Sequence, residues 1–238
     1  VGYAMGEVYA IAGGKGGVGK TSATLNTGIA LEQKGHDVAI VDADLGMTNL
    51  GGLLGMEHSP TIHDVLSGRA PLSEALVEGP AGVTVLPGTD QLEAFVDASP
   101  ENLEPLIDEL RAGFDAVIVD TGSGLCQETV VPMRVADSAI LITTPEPIAM
   151  EDTRKMAELA DTVETGLLGA VVVKAEPDTT IPEIADELGV TVLAAVPKDR
   201  EAAGNEPVVV NYPDRLATQA YQTLAQKVGN FVTARASN

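Results

Sequence analysis

One short run of this 238-residue chain carries the residue types needed to grip phosphate. Gly13-Gly14-Lys15-Gly16-Gly17-Val18-Gly19-Lys20-Thr21 follows the apolar stretch Val8–Ala12 and contains a glycine, four residues, then Gly-Lys-Thr. Glycines at these positions let successive backbone N–H groups converge on phosphate oxygens with no Cβ in the way. The N-terminus of a following helix would add its partial positive charge. Lys20 would reach the β- and γ-phosphates, and the Thr21 hydroxyl would hold Mg²⁺. The expected cradle therefore comprises Gly14, Gly16, Gly17, Val18, Gly19, Lys20, Thr21 and Ser22. Lys15 places a second cation at its mouth.

Three aspartates supply the complementary charge. Asp42 and Asp44 follow the apolar run Val38–Val41, and a spacing of two in an extended segment points both to one side. Asp120 ends the run Ala116–Val119 and would hold Mg²⁺ directly or through water. Gly122 and Gly124 would let the turn after it move when a γ-phosphate arrives. Other chemistry-bearing residues read as ordinary. Cys126 is the only cysteine, which excludes an intrachain disulfide and any all-cysteine metal site within one chain. His58 and His63 lack a carboxylate at ligand spacing and are expected as surface or capping residues.

These side chains need a scaffold, and the hydropathy pattern describes one. Apolar, β-branched runs recur at 8–12, 38–41, 83–86, 116–119, 138–142, 170–173 and 192–196. They are nearly continuous rather than alternating, as expected for strands covered on both faces. Helical spacing fills 21–34, 102–111, 148–163, 181–188 and 212–233. In the last, Leu216, Ala220, Leu224, Val228 and Phe231 form the expected buried stripe. The alternation predicts an α/β fold: a doubly wound, mainly parallel sheet with helices on both faces, in one domain spanning 1–238. Ligands sit at the carboxyl ends of such strands, where the glycine run and the aspartates lie.

Composition narrows the function further. The chain has 35 acidic and 14 basic residues, a net charge of −21. That argues against direct nucleic-acid binding through the phosphate backbone. The acid is spread out, as in Glu151, Asp152, Glu158, Asp161 and Glu164, and lysine is scarce. Such a surface suits molar salt, where the Debye length falls to about 3 Å, so a halophilic source is expected. No apolar stretch is long enough to span a membrane. The segment 1–6 shows no signal-peptide pattern, and Met5 offers an alternative start, so a cytoplasmic protein is expected.

GGKGGVGKT resembles the deviant P-loop of the MinD/ParA family of ATPases, and Asp42-Ala43-Asp44-Leu45-Gly46-Met47-Thr48-Asn49 resembles that family's first switch region. The resemblance covers nearly the whole chain and implies an Mg²⁺-dependent ATPase with ATP and Mg²⁺ as ligands. It implies that Lys15 crosses a dimer interface to the partner's phosphates, Asp44 orients the attacking water, and Asp42 supports the Mg²⁺ shell. Asn49 would lie on a mobile loop that senses an unidentified protein partner. Thr121-Gly122-Ser123-Gly124 and Thr143-Thr144-Pro145-Glu146-Pro147 look more like the flagellar-regulator branch than MinD itself. Pro197 and Asp199 match the family's P-x-D segment beside the base, whereas Lys174-Ala175 stands where the family commonly carries Asn-Arg. The implied function is an ATP-dependent homodimerisation switch that positions a cellular assembly. A weakly hydrolysing adaptor, or a ligase or kinase acting on a small molecule, is the alternative. MinD of bacteria ends in a basic amphipathic helix; the few cations here lead us to expect no autonomous membrane anchor.

Overall fold

The computed structural model describes residues 5–236; Val1–Ala4, part of the segment read for a leader, lie outside the described residues. Strands β1 (Glu7–Gly13), β2 (Val38–Asp42), β3 (Val77–Glu78), β4 (Thr84–Leu86), β5 (Ala116–Ser123), β6 (Ser138–Thr143), β7 (Gly166–Ala175) and β8 (Val192–Pro197) join in one sheet, in the order β3-β4-β2-β5-β1-β6-β7-β8. All neighbours are parallel except β3, which runs antiparallel to β4 through Val77↔Val85 and Glu78↔Thr84. The helices are α1 (Lys20–Gln33), α2 (Leu50–Leu54), α3 (Ile62–Leu66), α4 (Leu72–Ala75), α5 (Leu92–Asp97), α6 (Leu103–Arg111), α7 (Gln127–Val135), α8 (Pro147–Thr162), α9 (Ile181–Leu188), α10 (Val208–Asn211) and α11 (Leu216–Ala236).

Successive residues of the central strands feed two separate apolar layers. Tyr9, Ile11, Ala116 and Ile118 pack with α1 and α11, while Val8, Ala10, Val117 and Val119 pack toward α6 and α7. Both faces are covered, which is why the runs are apolar throughout. Helix α1 is buried around much of its circumference because the sheet lies on one side and α11 on the other. Its close seat on β2 depends on Gly28, where a Cβ would come within 2.6 Å of the Ile40 side chain.

All seven expected strands and five expected helices are present, with end shifts of a few residues. The two-residue β3 and short helices such as α2 and α10 left no usable pattern. Helix α7 was also missed: Pro132 sits inside it, and its apolar residues are weakly segregated. One stripe needs correction. On α11 the buried apolar side chains are Ala217, Tyr221, Leu224, Ala225, Val228 and Val232, while Leu216 and Phe231 are 67% and 48% exposed. The buried face is rotated to one side of the expected row, and the two share only Leu224 and Val228. No described helix is long and apolar enough to cross a membrane.

Candidate functional site

The glycine run forms a tight loop between β1 and α1. Gly14 is required by close approach, since a Cβ there would lie 2.4 Å from the Asp152 Cβ and 2.6 Å from its carbonyl oxygen. Gly19 precedes α1 at φ 115°, a conformation that a side chain would strain. Helix α1 begins at Lys20, so the amides of its free N-terminus face the loop.

Lys20 is only 6% exposed, and its Nζ donates to Ser123 Oγ at 2.8 Å. Burial lowers the affinity of this ammonium for its proton, while Asp120 and then Asp44 oppose that effect. The glycine loop, the end of β5 and the segment after β2 thus converge on one ammonium. Thr21 Oγ1 donates to Asp120 Oδ2 at 2.6 Å, and Thr24 Oγ1 lies 3.3 Å from Asp120 Oδ1.

Asp42 and Asp120 stand opposite one another on the paired strands β2 and β5, and both are buried. Asp42 Oδ2 accepts from the amides of Asn49 and Leu50, each at 3.1 Å. Its Oδ1 is buried without a hydrogen-bond partner. Burial pushes the Asp42 carboxyl well above its usual range, with Asp120 adding to the effect. Burial likewise raises Asp120 to about 7, against the opposing influence of Thr21 and Lys20. Asp44 is half-buried; burial raises its pKa, and Lys20 partly offsets this. Two buried carboxylates with an orphaned oxygen, beside a threonine hydroxyl, are a donor set suited to a hard cation. Among the described residues no three His, Cys, Asp or Glu side chains could hold a metal by themselves. This fits Mg²⁺, which is held by few protein ligands together with substrate phosphates.

The cradle opens onto a cavity of about 260 Å³ lined by Val18, Gly19, Ser22, Val173, Pro197 and Tyr221, among others. Asp199 also lines it, but its Oδ1 accepts from the amides of Glu201 and Ala202 at 3.0 and 3.1 Å. Lys15 is exposed beside a separate cleft that it shares with Gly16, Gly17 and Lys174. The expected residues therefore divide into a buried cluster at the cradle, a set lining the apolar cavity and one exposed cation.

Sequence reasoning missed three participants. Ser123, at the end of the neighbouring strand β5, accepts from Lys20. Glu206 accepts from Ser22 Oγ and Asn26 Nδ2, both at 2.7 Å, and ties α1 to the loop before α10. His63, expected as a surface or capping residue, is fully buried: its Nε2 meets the Leu45 carbonyl at 2.9 Å, and its Nδ1 accepts from the Thr89 amide at 3.3 Å. That pairing fixes a neutral tautomer with the proton on Nε2 and pins the loop after Asp44. His58 is partly exposed, with Nε2 3.1 Å from the Glu74 carbonyl.

Comparison with known proteins places this geometry. A ParA family model, described as "NUBPL iron-transfer P-loop NTPase", matches residues 4–229. An uncharacterized ATP-binding protein of Methanocaldococcus jannaschii is 36% identical over 94% of this chain and 88% of its own length. The antiactivator FleN of Pseudomonas aeruginosa is 35% identical over 64% of this chain and 56% of its own. The septum site-determining protein MinD of Pyrococcus horikoshii, solved with Mg-ADP, superposes with a TM-score of 0.91 at 32% identity, covering 97% of this chain and 99% of that one. With the cradle, the three aspartates and the strand order in place, the chain belongs to the ParA family of P-loop NTPases, the family of MinD.

Proposed function

We propose that this chain, acting as one domain, is a MinD-like ATPase switch that binds Mg-ATP, pairs with a second copy, and separates after hydrolysis. The observation that carries this reading is the buried Lys20, held between the cradle and Ser123 with Asp120 and Asp44 close enough to influence its charge. An ammonium buried at the end of a glycine loop awaits an anion, and a triphosphate supplies one. Backbone amides from Gly14 to Thr21 and the Lys20 ammonium hold the β- and γ-phosphates.

Thr21, Asp120 and Asp42 would hold Mg²⁺, with Asp42 acting through water. When bound, Mg²⁺ neutralises charge on the phosphate oxygens during transfer. Asp44 orients the attacking water: it lies near Lys20 at the edge of the cradle and remains half-exposed, so water can reach it. Asp42 links the site to the outside. The carboxylate that would face the cation also accepts from the amides of Asn49 and Leu50 at the start of α2, so Asp42 couples the site to the loop from Asp44 to Asn49. That loop is the surface read by a protein partner. Lys15, exposed at the mouth, reaches the nucleotide of the second copy, in the manner of a cationic finger supplied in trans.

The relatives support a spatial role. FleN is named an antiactivator and the Pyrococcus protein is named septum site-determining. We infer that this chain positions a cellular assembly through the nucleotide-controlled pairing proposed above. The iron transfer in the family description is not carried over, because the chain offers a single cysteine, Cys126.

Phosphate release from ATP under single-turnover conditions tests the activity. Release that needs Mg²⁺ and is lost in Lys20→Ala supports it. A wild-type chain that binds ATP and leaves it intact would make the protein a nucleotide-binding adaptor.

A further inference from the structure

Asp44 is only half-buried, yet orienting a water requires a carboxylate with a fixed place. Its neighbours in the chain supply that place. Ala43 is buried, and its amide donates to the Asp120 carbonyl at 2.9 Å. Leu45 is buried in the apolar layer on the α6 side of the sheet, and its carbonyl accepts from His63 Nε2 at 2.9 Å. Beyond Leu45 the loop changes character. Gly46, Met47 and Asn49 are exposed, and the next fixed point is the pair of amides, Asn49 and Leu50, held by Asp42.

The loop thus has two fastenings of different kinds. The far one belongs to Asp42, a carboxylate that would face Mg²⁺ and so responds to what the cradle holds. The near one belongs to His63, a side chain that lines neither the cradle nor the apolar cavity beside it.

His63 stands on a rigid base. It lies on α3 with Ile62 and Leu66, both buried. The start of that helix is tied by the Thr61 amide to Asp64 Oδ2 at 2.8 Å and by the Ile62 amide to the Pro87 carbonyl at 2.9 Å. A fully buried imidazole is costly unless both ring nitrogens are paired. Here the Thr89 amide occupies Nδ1, which leaves the proton on Nε2 and aims it at Leu45. Gly88 permits this close packing, since a Cβ there would fall 2.2 Å from Thr48 Cγ2 and 3.2 Å from His63 Cε1. An apolar side chain could fill the same space; only a donor can hold the carbonyl that follows Asp44.

We propose that His63 is a positioning residue for hydrolysis. By holding the Leu45 carbonyl it makes Leu45 the pivot of the loop, so that Asp44 keeps its water-orienting place while residues 46–49 move with the nucleotide state. This rests on the role given to Asp44 above.

The test measures Mg-ATP affinity and single-turnover hydrolysis separately, in about 2 M KCl to screen the acidic surface. The variants are His63→Met, His63→Asn and His63→Gln, each alone and with Asp44→Ala. Met fills the space without a donor, and the Asn amide is one bond too short. The Gln amide nitrogen lies as many bonds from the backbone as Nε2 does, so it can restore the contact. Met and Asn are expected to keep ATP affinity and to slow hydrolysis by about 10- to 100-fold, the cost of a misplaced reacting group. Gln is expected to recover most of the rate. In the Asp44→Ala background none of the three should slow hydrolysis further, because His63 acts through Asp44.

Hydrolysis at the wild-type rate in a folded Met or Asn variant overturns the proposal. So does a rate that falls only in step with ATP affinity, a Gln variant no faster than Met, or an equal further loss on top of Asp44→Ala. Failure of both Met and Asn to fold would make His63 a purely structural residue and overturn it too. Normal turnover in Asp44→Ala alone is the separate failure of the reading on which the proposal rests.

Discussion

At the phosphate end of the cleft, Lys20, Asp42 and Asp120 are buried on strands and on the first turn of α1. At the cavity end, Lys174, Lys198 and Arg200 are exposed at strand ends and in the following loop. The first group is fixed by packing: each side chain meets partners from at least one other element, and its protonation is shifted by burial. In the second group Lys174 and Lys198 each meet one partner at the surface. The contrast teaches that the proposed phosphate and cation ligands are built into the core, while the charged side chains at the other end of the cleft stand at the surface, where they can change without disturbing it.

The largest effect should come from the buried end. Lys20→Ala removes the ammonium that faces the phosphates and should weaken ATP at least a hundredfold, read by titration calorimetry; losing a charge-assisted contact of this kind costs roughly 3 kcal/mol or more. Asp44→Ala should retain ATP yet slow hydrolysis by about 10²–10³, as expected for loss of a water-positioning group. Normal turnover in that variant would contradict the role given to Asp44.

Asp120 offers a pH signature of moderate size. Its folded pKa is raised to about 7, so it keeps its proton in the folded chain after the unfolded chain has lost it. Its contribution to stability is therefore full below the ordinary carboxylate range and is lost as pH rises through about 7. Asn bears no such penalty. In the absence of nucleotide, the melting temperature of Asp120→Asn relative to wild type should climb between pH 5 and 8. A difference flat with pH would remove the buried-acid account. Salt should act more gently and on the whole surface: the melting temperature should rise with KCl, because a net charge of −21 repels itself until screened. Equal stability at about 0.1 M and 2 M KCl would remove the halophilic expectation.

The same contrast explains what the sequence made legible. Asp42 and Asp120 could be read because each ends an apolar strand, and strand ends in a parallel sheet converge on the ligand. The glycine cradle was readable because its geometry is local. Ser123, Glu206 and His63 were not, for a common reason. Ser123 meets Lys20 across 103 residues, Glu206 meets Ser22 across 184, and His63 meets Leu45 across 18. No periodicity records such pairings; the folded sheet creates them. The α11 stripe shows the milder failure, in which the element was right but the face turned to the core is rotated from the expected row and shares only Leu224 and Val228 with it. Lys174 was visible as a departure from the family pattern, but its left-handed backbone and its contact with Gly17 were not.

Lys15 belongs to neither end: it is exposed at the mouth and lies outside the buried ammonium–carboxylate cluster. Its proposed task lies in a second copy of the chain, and that task is the centre of the switch account. Light scattering of wild type and Lys15→Ala, with and without Mg-ATP and in the Asp44→Ala background to block turnover, tests it most directly. The account predicts that Mg-ATP doubles the mass only when Lys15 is present, while ATP affinity of the separate chain changes little. A chain that holds intact ATP and stays single, or pairs equally well without Lys15, would contradict it.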